Sequence, residues 1–185
     1  LGRMFGFAYG HKENGAVFSH MAIMYANALY QRGFALEGFK VIDTLYSHCS
    51  NFDISRIYPG VPEYISERGR GMYHYLTGSA SWLILTVLSE MFGVKGKMGN
   101  LAFEPKILAK QFDNEGKAAI EMNFAERQLK VEYVNEDKKE YGDYSISKIY
   151  INDEEYKFSE EPLVDRNVIN LLDENIKHTI KVVLK

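Results

Sequence analysis

Two short polar stretches carry residue types that hold sugars and anions. His11-Lys12-Glu13-Asn14-Gly15 sets a cation, an anion and an amide side by side, and Phe18-Ser19-His20 follows closely. Sugar hydroxyls donate and accept at once, so a mixed set of this kind suits them. His20 lies in the first or second turn of the helix that the next residues predict, where an imidazole can donate to an anion. The second stretch is His74-Tyr75-Leu76-Thr77-Gly78-Ser79-Ala80-Ser81-Trp82. Its Thr77-Gly78-Ser79 step opens an apolar helix, so free backbone N–H groups, a hydroxyl and the positive end of a helix dipole meet at one point. That combination holds an anion, typically phosphate. Gly78 removes a side chain where a ligand could approach the backbone.

Each stretch also has an ordinary reading. Asn14 can cap the following helix, with Lys12 and Glu13 in solvent and His20 a satisfied core histidine. Thr77 or Ser79 can be a plain N-cap, with Gly78 easing the turn. By spacing alone the ordinary reading has the edge in both. A third stretch, Pro62-Glu63-Tyr64-Ile65-Ser66-Glu67-Arg68-Gly69-Arg70-Gly71, brings carboxylates, guanidinia and an aromatic to one loop. It could line a sugar or phosphate subsite, or be an exposed ion-paired loop. His11, His48 and Cys49 form no metal-ligand spacing, so no metal is expected. There is no Gly-x-Ser-x-Gly, and His48-Cys49 reads as helix-end packing.

The elements that must position these residues change in character near Gly93–Gly99. Before it, Phe18, Met21, Ala22, Tyr25 and Leu29 recur with helical spacing, and Gly33 is placed to end that helix. A second helix is expected over 35–48, carrying Phe39, Ile42, Leu45 and Tyr46. Asn51–Gly71, rich in Pro and Gly, reads as a long loop of the functional kind. A third helix, over 79–92, is apolar on nearly all sides and is expected to be buried all round. After Gly99, 117–124, 128–134, 145–151, 155–158 and 176–184 alternate or form short apolar runs. Asn152-Asp153-Glu154 is a turn signal between two of them, and Asn135–Glu140 reads as an exposed hairpin tip. Ile176, His178, Ile180 and Val182 share one face of the last strand. Short strands at close spacing predict an antiparallel sandwich. The fold class expected is α+β, with residues 1–96 helical and 97–185 a β domain. Three helices bury their own faces poorly, so the first part is expected to complete a larger helical body.

Composition narrows the function classes. The 185 residues are 46% hydrophobic and 14% aromatic, and the net charge is -3. Lys and Arg are scattered among acids, which argues against nucleic acid as a partner. The longest apolar stretch, Trp82–Leu88, is too short to span a bilayer, so no membrane partner is expected. A lone Cys49 excludes an internal disulfide framework and agrees with a cytoplasmic home. The start at Leu-Gly-Arg, inside what reads as structured sequence, suggests a piece of a longer chain.

The motifs occur together in one family. Lys12-Glu13-Asn14-Gly15-Ala16-Val17-Phe18-Ser19-His20 resembles the Lys-Glu-Asn-Gly-Gly-Ile-Phe-x-His of glycoside hydrolase family 94, the cellobiose phosphorylase family. Leu76–Trp82 resembles its Leu-Thr-Gly-Thr/Ser-Ala-Ala/Ser-Trp. Phe92-Gly93-Val94 and Leu101-Ala102-Phe103-Glu104-Pro105 resemble its Leu-Gly-Ile and Leu-x-Ile-x-Pro. The four matches come in order, and the resemblance covers residues 10–135, the rest matching only as a pattern of strands.

The resemblance implies the last helices of an (α/α)6 barrel followed by an antiparallel β-sandwich. It implies reversible inverting phosphorolysis of a β-linked gluco-oligosaccharide to α-glucose 1-phosphate, a hexosyl transfer. Inorganic phosphate is the co-substrate and no cofactor is needed. Phosphate takes the place of the water that an inverting hydrolase activates, while one carboxylic acid protonates the leaving oxygen. By resemblance Lys12 and Glu13 hold the donor sugar, and His20, Thr77 and Gly78 hold phosphate. Members are often homodimers. The family's general-acid Asp precedes the Lys-Glu-Asn-Gly segment and has no counterpart among these residues, so the chain alone is expected to be inactive. Pro59–Gly71 departs from the cellobiose enzymes and looks more like the oligoglucan-acting branches. The alternatives are an (α/α)6 hydrolase or transglycosylase relative, and a non-catalytic carbohydrate-binding module.

Overall fold

The computed structural model describes residues 3–57, 60–73 and 78–185. The protein is mixed α+β and divides into two compact units, Leu1–Val87 and Leu88–Lys185, a little before the change of pattern read near Gly93.

The first unit opens with a 3-10 turn at Arg3–Gly6. β1 (Val17–Phe18), α1 (Ser19–Gln31), α2 (Ala35–Ser50), α3 (Phe52–Ser55), β2 (Tyr64–Ile65), β3 (Gly71–Met72) and α4 (Gly78–Thr86) follow. α4 continues as a π turn over Val87–Met91. α1 stops where the sequence placed its end. Gly33 takes φ +83°, its N–H donates to Tyr30 O, and Phe34 N–H donates to Leu29 O. This is the two-bond closure that a glycine past a helix end permits.

The buried face of α1 differs from the one read in the sequence. Ser19, Ile23, Ala26, Asn27 and Tyr30 are buried, whereas Met21 and Tyr25 stay exposed at 69% and 59%. Apolar residues surround most of this helix, so helical spacing alone fits more than one face. Packing chooses the face on which Ala26 and Tyr30 meet α2. A Cβ on Gly38 of α2 would lie 2.6 Å from Tyr30 Cδ2 and 3.2 Å from Ala26 O, so α1 and α2 meet closest at that glycine. Ile42, Leu45 and Cys49 of α2 are buried, and Leu45 and Cys49 join Ile23, Ile57 and Ile65 in one cluster.

The expected long loop at 51–71 holds structure instead. After α3, β2 and β3 form a hairpin that extends to β1 as a three-stranded antiparallel sheet. Ser66 N–H donates to Arg70 O and closes the turn, and His48 Nε2 donates to Gly69 O at 2.6 Å. α4 is not buried all round either: Ile84 and Leu85 are 61% and 48% exposed.

The second unit carries β4 (Val94–Lys97), β5 (Asn100–Phe103), β6 (Lys117–Phe124), β7 (Arg127–Val134), β8 (Ile146–Ile151), β9 (Glu154–Tyr156), β10 (Leu163–Val164), α5 (Arg166–Leu171) and β11 (Lys177–Leu184). One sheet has the order β10-β5-β4 and the other β6-β7-β11-β8-β9. Leu101, Phe103 and Val164 from the first share one core with Val131, Ile149 and Val182 from the second. The expectation of wholly antiparallel strands is corrected by β7 and β11, which pair in parallel from Lys177↔Gln128 to Val183↔Val134. The intervening β8, β9, β10 and α5 provide the long connection that a parallel pair requires.

Alternation did locate β6–β9 and β11 within a residue or two, since each has one wet face. Asn152 and Asp153, at φ +50° and +69°, form a two-residue turn between β8 and β9, matching the sequence signal. Asn135–Glu140 is not a hairpin tip, because β11 lies between β7 and β8. Asn135 is fully buried there. Its amide donates to Lys139 O and accepts from Lys139 N–H, folding the loop around itself.

Arg127 fastens α5 to this unit. Its Nε and Nη2 donate to Leu172 O and Asn170 O, and its Nη1 donates to Ala125 O and pairs with Glu174 at 3.0 Å. The side chain is 9% exposed. Arg127→Met should lower unfolding free energy by about 2–4 kcal/mol, since three carbonyls lose a charged donor. Chemical denaturation measures the loss. Arg127→Lys, which lacks the planar fork, should recover less than half of it.

Candidate functional site

The segment Pro62–Ile65 gathers the residues of interest. β1 pairs with β2 through Val17↔Ile65 and Phe18↔Tyr64, which brings the chain just before α1 alongside the hairpin. The first residue of α1 is bonded to it as well, Ser19 N–H donating to Glu63 O at 3.0 Å. Ser79, in the first turn of α4, donates its hydroxyl to Pro62 O at 3.0 Å. Both helix N-termini are thus tied to adjacent residues, Pro62 and Glu63, that lead into β2. Farther along, Asn27 Nδ2 donates to Thr86 Oγ1 at 3.1 Å, so α1 and α4 run in parallel. Neither first turn holds an acidic residue. Two positive dipole ends, each equivalent to roughly half an elementary charge, therefore point into one neighbourhood.

His20 stands between these ends. A Cβ on Gly78 would lie 2.8 Å from His20 Cε1 and 2.9 Å from Nδ1, so the imidazole packs directly on the glycine. Trp82 flanks the ring, with centroids 6.1 Å apart. His20 Nε2 is buried and has no hydrogen-bond partner among the described residues, and the same holds for Ser19 Oγ. A buried polar atom left without a partner costs about 1–3 kcal/mol. His20 is therefore not the satisfied core histidine of the ordinary reading. Thr77 lies outside the described residues.

The stretch before α1 does not cap that helix. Phe18 is the residue at the N-cap, and it makes no side-chain cap bond. Asn14 Nδ2 instead donates to Phe7 O at 2.8 Å, and Asn14 pairs with His11 across a tight turn. Lys12 sits in that turn at φ +48°, a conformation that costs a non-glycine residue about 1–3 kcal/mol. Its Nζ donates to Glu63 Oε2 at 2.8 Å, and lies 4.0 Å from the Tyr73 ring centroid and 5.3 Å from that of Tyr64. Tyr73 is itself left-handed, at φ +57°. Tyr64 is buried, and its hydroxyl is 3.4 Å from His11 Nδ1. Glu13 is exposed, whereas Lys12 is half-buried.

Of the residues singled out in the sequence, His20 and Gly78 meet, and Lys12 is held by the third stretch rather than by its neighbour Glu13. In the sequence Glu63 and Tyr64 are only members of one undivided loop, and nothing local marks out Tyr73. Only the β1–β2 pairing, which is invisible in a linear reading, selects them. The chain matches neither any protein-family model nor any curated protein. Among the described residues, no group of three or more His, Cys, Asp or Glu side chains is placed to hold a metal ion. None of the described helices is long and apolar enough to cross a membrane.

The Glu63 carboxylate beside Lys12 holds its ammonium above the ordinary lysine value, outweighing the opposing effect of burial. A raised lysine value means that the pair's stabilisation is complete below pH 10.5 and is lost as pH climbs through the higher, folded-state value. Titration of Lys12 Nζ by NMR should thus give a midpoint above 10.5. In Glu63→Gln the midpoint should fall back toward it, because the hydrogen bond to Glu63 is the largest cause.

Proposed function

We propose that this chain contributes the phosphate wall and part of the donor-sugar wall of an inverting glycoside phosphorylase acting on β-linked gluco-oligosaccharides. The observation that carries this reading is the meeting of two parallel helix N-termini, without acidic residues in their first turns, around a buried and unpartnered His20 Nε2. An anion satisfies all three at once: it takes the backbone N–H groups, neutralises the facing dipole ends and accepts from the imidazole. Gly78, lacking a side chain, lets the His20 imidazole lie directly on the first turn of α4. Lys12 and Glu63, walled by tyrosines, offer the donors, acceptors and ring faces that a sugar needs.

In the reaction proposed, phosphate oxygen attacks the anomeric carbon while an acid outside the described residues protonates the departing glycosidic oxygen. The chain's own part is to bind and orient: His20, Gly78 and the N–H groups of α4 steer phosphate, and Lys12 fixes the sugar against it. An antiparallel α1–α2 pair followed by α4 parallel to α1 supports the reading of 1–96 as the closing helices of an (α/α)6 barrel. Two sheets on one core support the reading of 97–185 as its β-sandwich, with one parallel pair.

Inorganic phosphate added to the chain should shift the His20 ring resonances in a saturable manner, with a midpoint in the millimolar range or below. His20→Ala should weaken phosphate binding about tenfold or more, the worth of one charge-assisted hydrogen bond. A protein joining this chain to its general acid should release glucose 1-phosphate only when phosphate is present. Release of free sugar without phosphate overturns the proposal.

A further inference from the structure

Lys12 and Glu63 are separated by 51 positions in sequence, yet among the described residues of the first unit their side chains form the closest ion pair, at 2.8 Å. The ammonium is held on two sides, by Glu63 Oε2 and by the Tyr73 ring 4.0 Å away. An ammonium has three protons, so at least one donor direction remains. Glu63 Oε1 makes no hydrogen bond to any described residue. The two side chains are 19% and 28% exposed, so the pair is partly open to a ligand.

Among the described residues, a donor direction of Lys12 and an acceptor oxygen of Glu63 therefore stand unused, side by side, against an aromatic wall. That pairing discriminates by charge as well as by shape. An anion meets the Glu63 carboxylate, and a cation meets the Lys12 ammonium. A neutral hydroxyl suits both, because its oxygen accepts from Lys12 while its proton goes to Glu63. The strained backbone at both Lys12 and Tyr73 marks a place where the surroundings impose geometry on the chain.

Resting on the sugar-binding reading above, we propose that Glu63 is a specificity-determining residue of this protein. Its free oxygen accepts the proton of the same sugar hydroxyl to which Lys12 Nζ donates. The ligand it selects is a neutral polyol, a glucosyl unit in the phosphorylase setting. Glu63, and not Glu13, is the carboxylate that works with Lys12.

The test is sugar binding to the whole chain in saturating phosphate, by calorimetry or saturation-transfer NMR. The probes are glucose and its monodeoxy analogues. Glu63→Gln should weaken glucose binding about tenfold or more, as loss of a hydrogen bond to a charged group implies. One deoxy analogue, lacking the recognised hydroxyl, should bind the wild-type and Glu63→Gln proteins equally. The His20 phosphate shifts should be unchanged in the variant. Glu63→Asp, which keeps the charge but shortens the reach, makes the same comparison if Glu63→Gln does not fold. Equal glucose affinity, or a uniform loss over every analogue, overturns the inference. Wild-type protein that binds phosphate but no glucose overturns it while leaving the phosphate site standing. Failure to bind either ligand overturns the phosphorylase reading with it.

Discussion

Four residues, Pro62 to Ile65, hold one end of the first unit together. Pro62 O takes the Ser79 hydroxyl, Glu63 O takes the Ser19 N–H, and Tyr64 and Ile65 pair with β1. Glu63 N–H is in turn bonded to Met72 O and Tyr73 O across the hairpin. A strand in this position converts two separate helix starts into one surface. It also carries Glu63 outward to Lys12 and Tyr64 inward under it, since successive residues of a strand face opposite ways. Helix ends, cation and aromatic wall therefore share one backbone reference, and a shift of this strand would move all of them together.

The cost of the arrangement is electrostatic and conformational. Parallel helices with coincident N-termini repel through their dipoles, and no acidic side chain in either first turn offsets that repulsion. Lys12 and Tyr73 hold left-handed backbone without being glycine. Globular domains relieve such features where they can, by a capping carboxylate or a glycine. They coexist in one unit with a buried His20 Nε2 that has no partner among the described residues, a local departure from the choices that favour stability. The two units contrast in this respect. Among the described residues the first leaves large apolar side chains such as Met21, Tyr25, Tyr46 and Ile84 in solvent, while the second buries an uninterrupted core and exposes few. The β unit is self-contained, pinned by Arg127, Asn135 and the shared core.

What could be read from the sequence followed the range of the interactions involved. The hairpin β8–β9 was legible because Asn152-Asp153 supplies the left-handed turn locally, and β6 because its alternation reports a single wet face. Gly33 was legible as a helix end for the same reason: its signal lies within one turn. The buried face of α1 was not, because a helix with apolar residues on most sides carries little preference until α2 and α4 pack on it. The parallel entry of β11 beside β7 was hidden by the intervening elements. Asn135 looked like solvent-facing turn chemistry, yet its amide folds back on Lys139. At the site, Lys12, His20 and Gly78 were visible through residue type, and Glu63 was visible only as one charge among several. Its selection depends on the pairing of Phe18 with Tyr64, a contact across 46 positions that no local pattern encodes.

The hairpin is also held at its far end, and this explains why the Lys12 turn keeps its geometry. His48 donates to Gly69 O from the last turn of α2, fixing the tip to a helix. From the tip, Glu67 lies directly against the backbone of Gly10, so closely that no side chain fits at position 10. Gly10 N–H donates to Asn14 O at 2.6 Å and closes the turn that contains Lys12. Lys12 is therefore located twice by the same hairpin, through Glu63 at its base and through Glu67 at its tip. Either contact alone would leave a long, flexible side chain free to rotate. With both in place the ammonium has little choice of position, which is the condition a donor must meet to distinguish one hydroxyl from its neighbours.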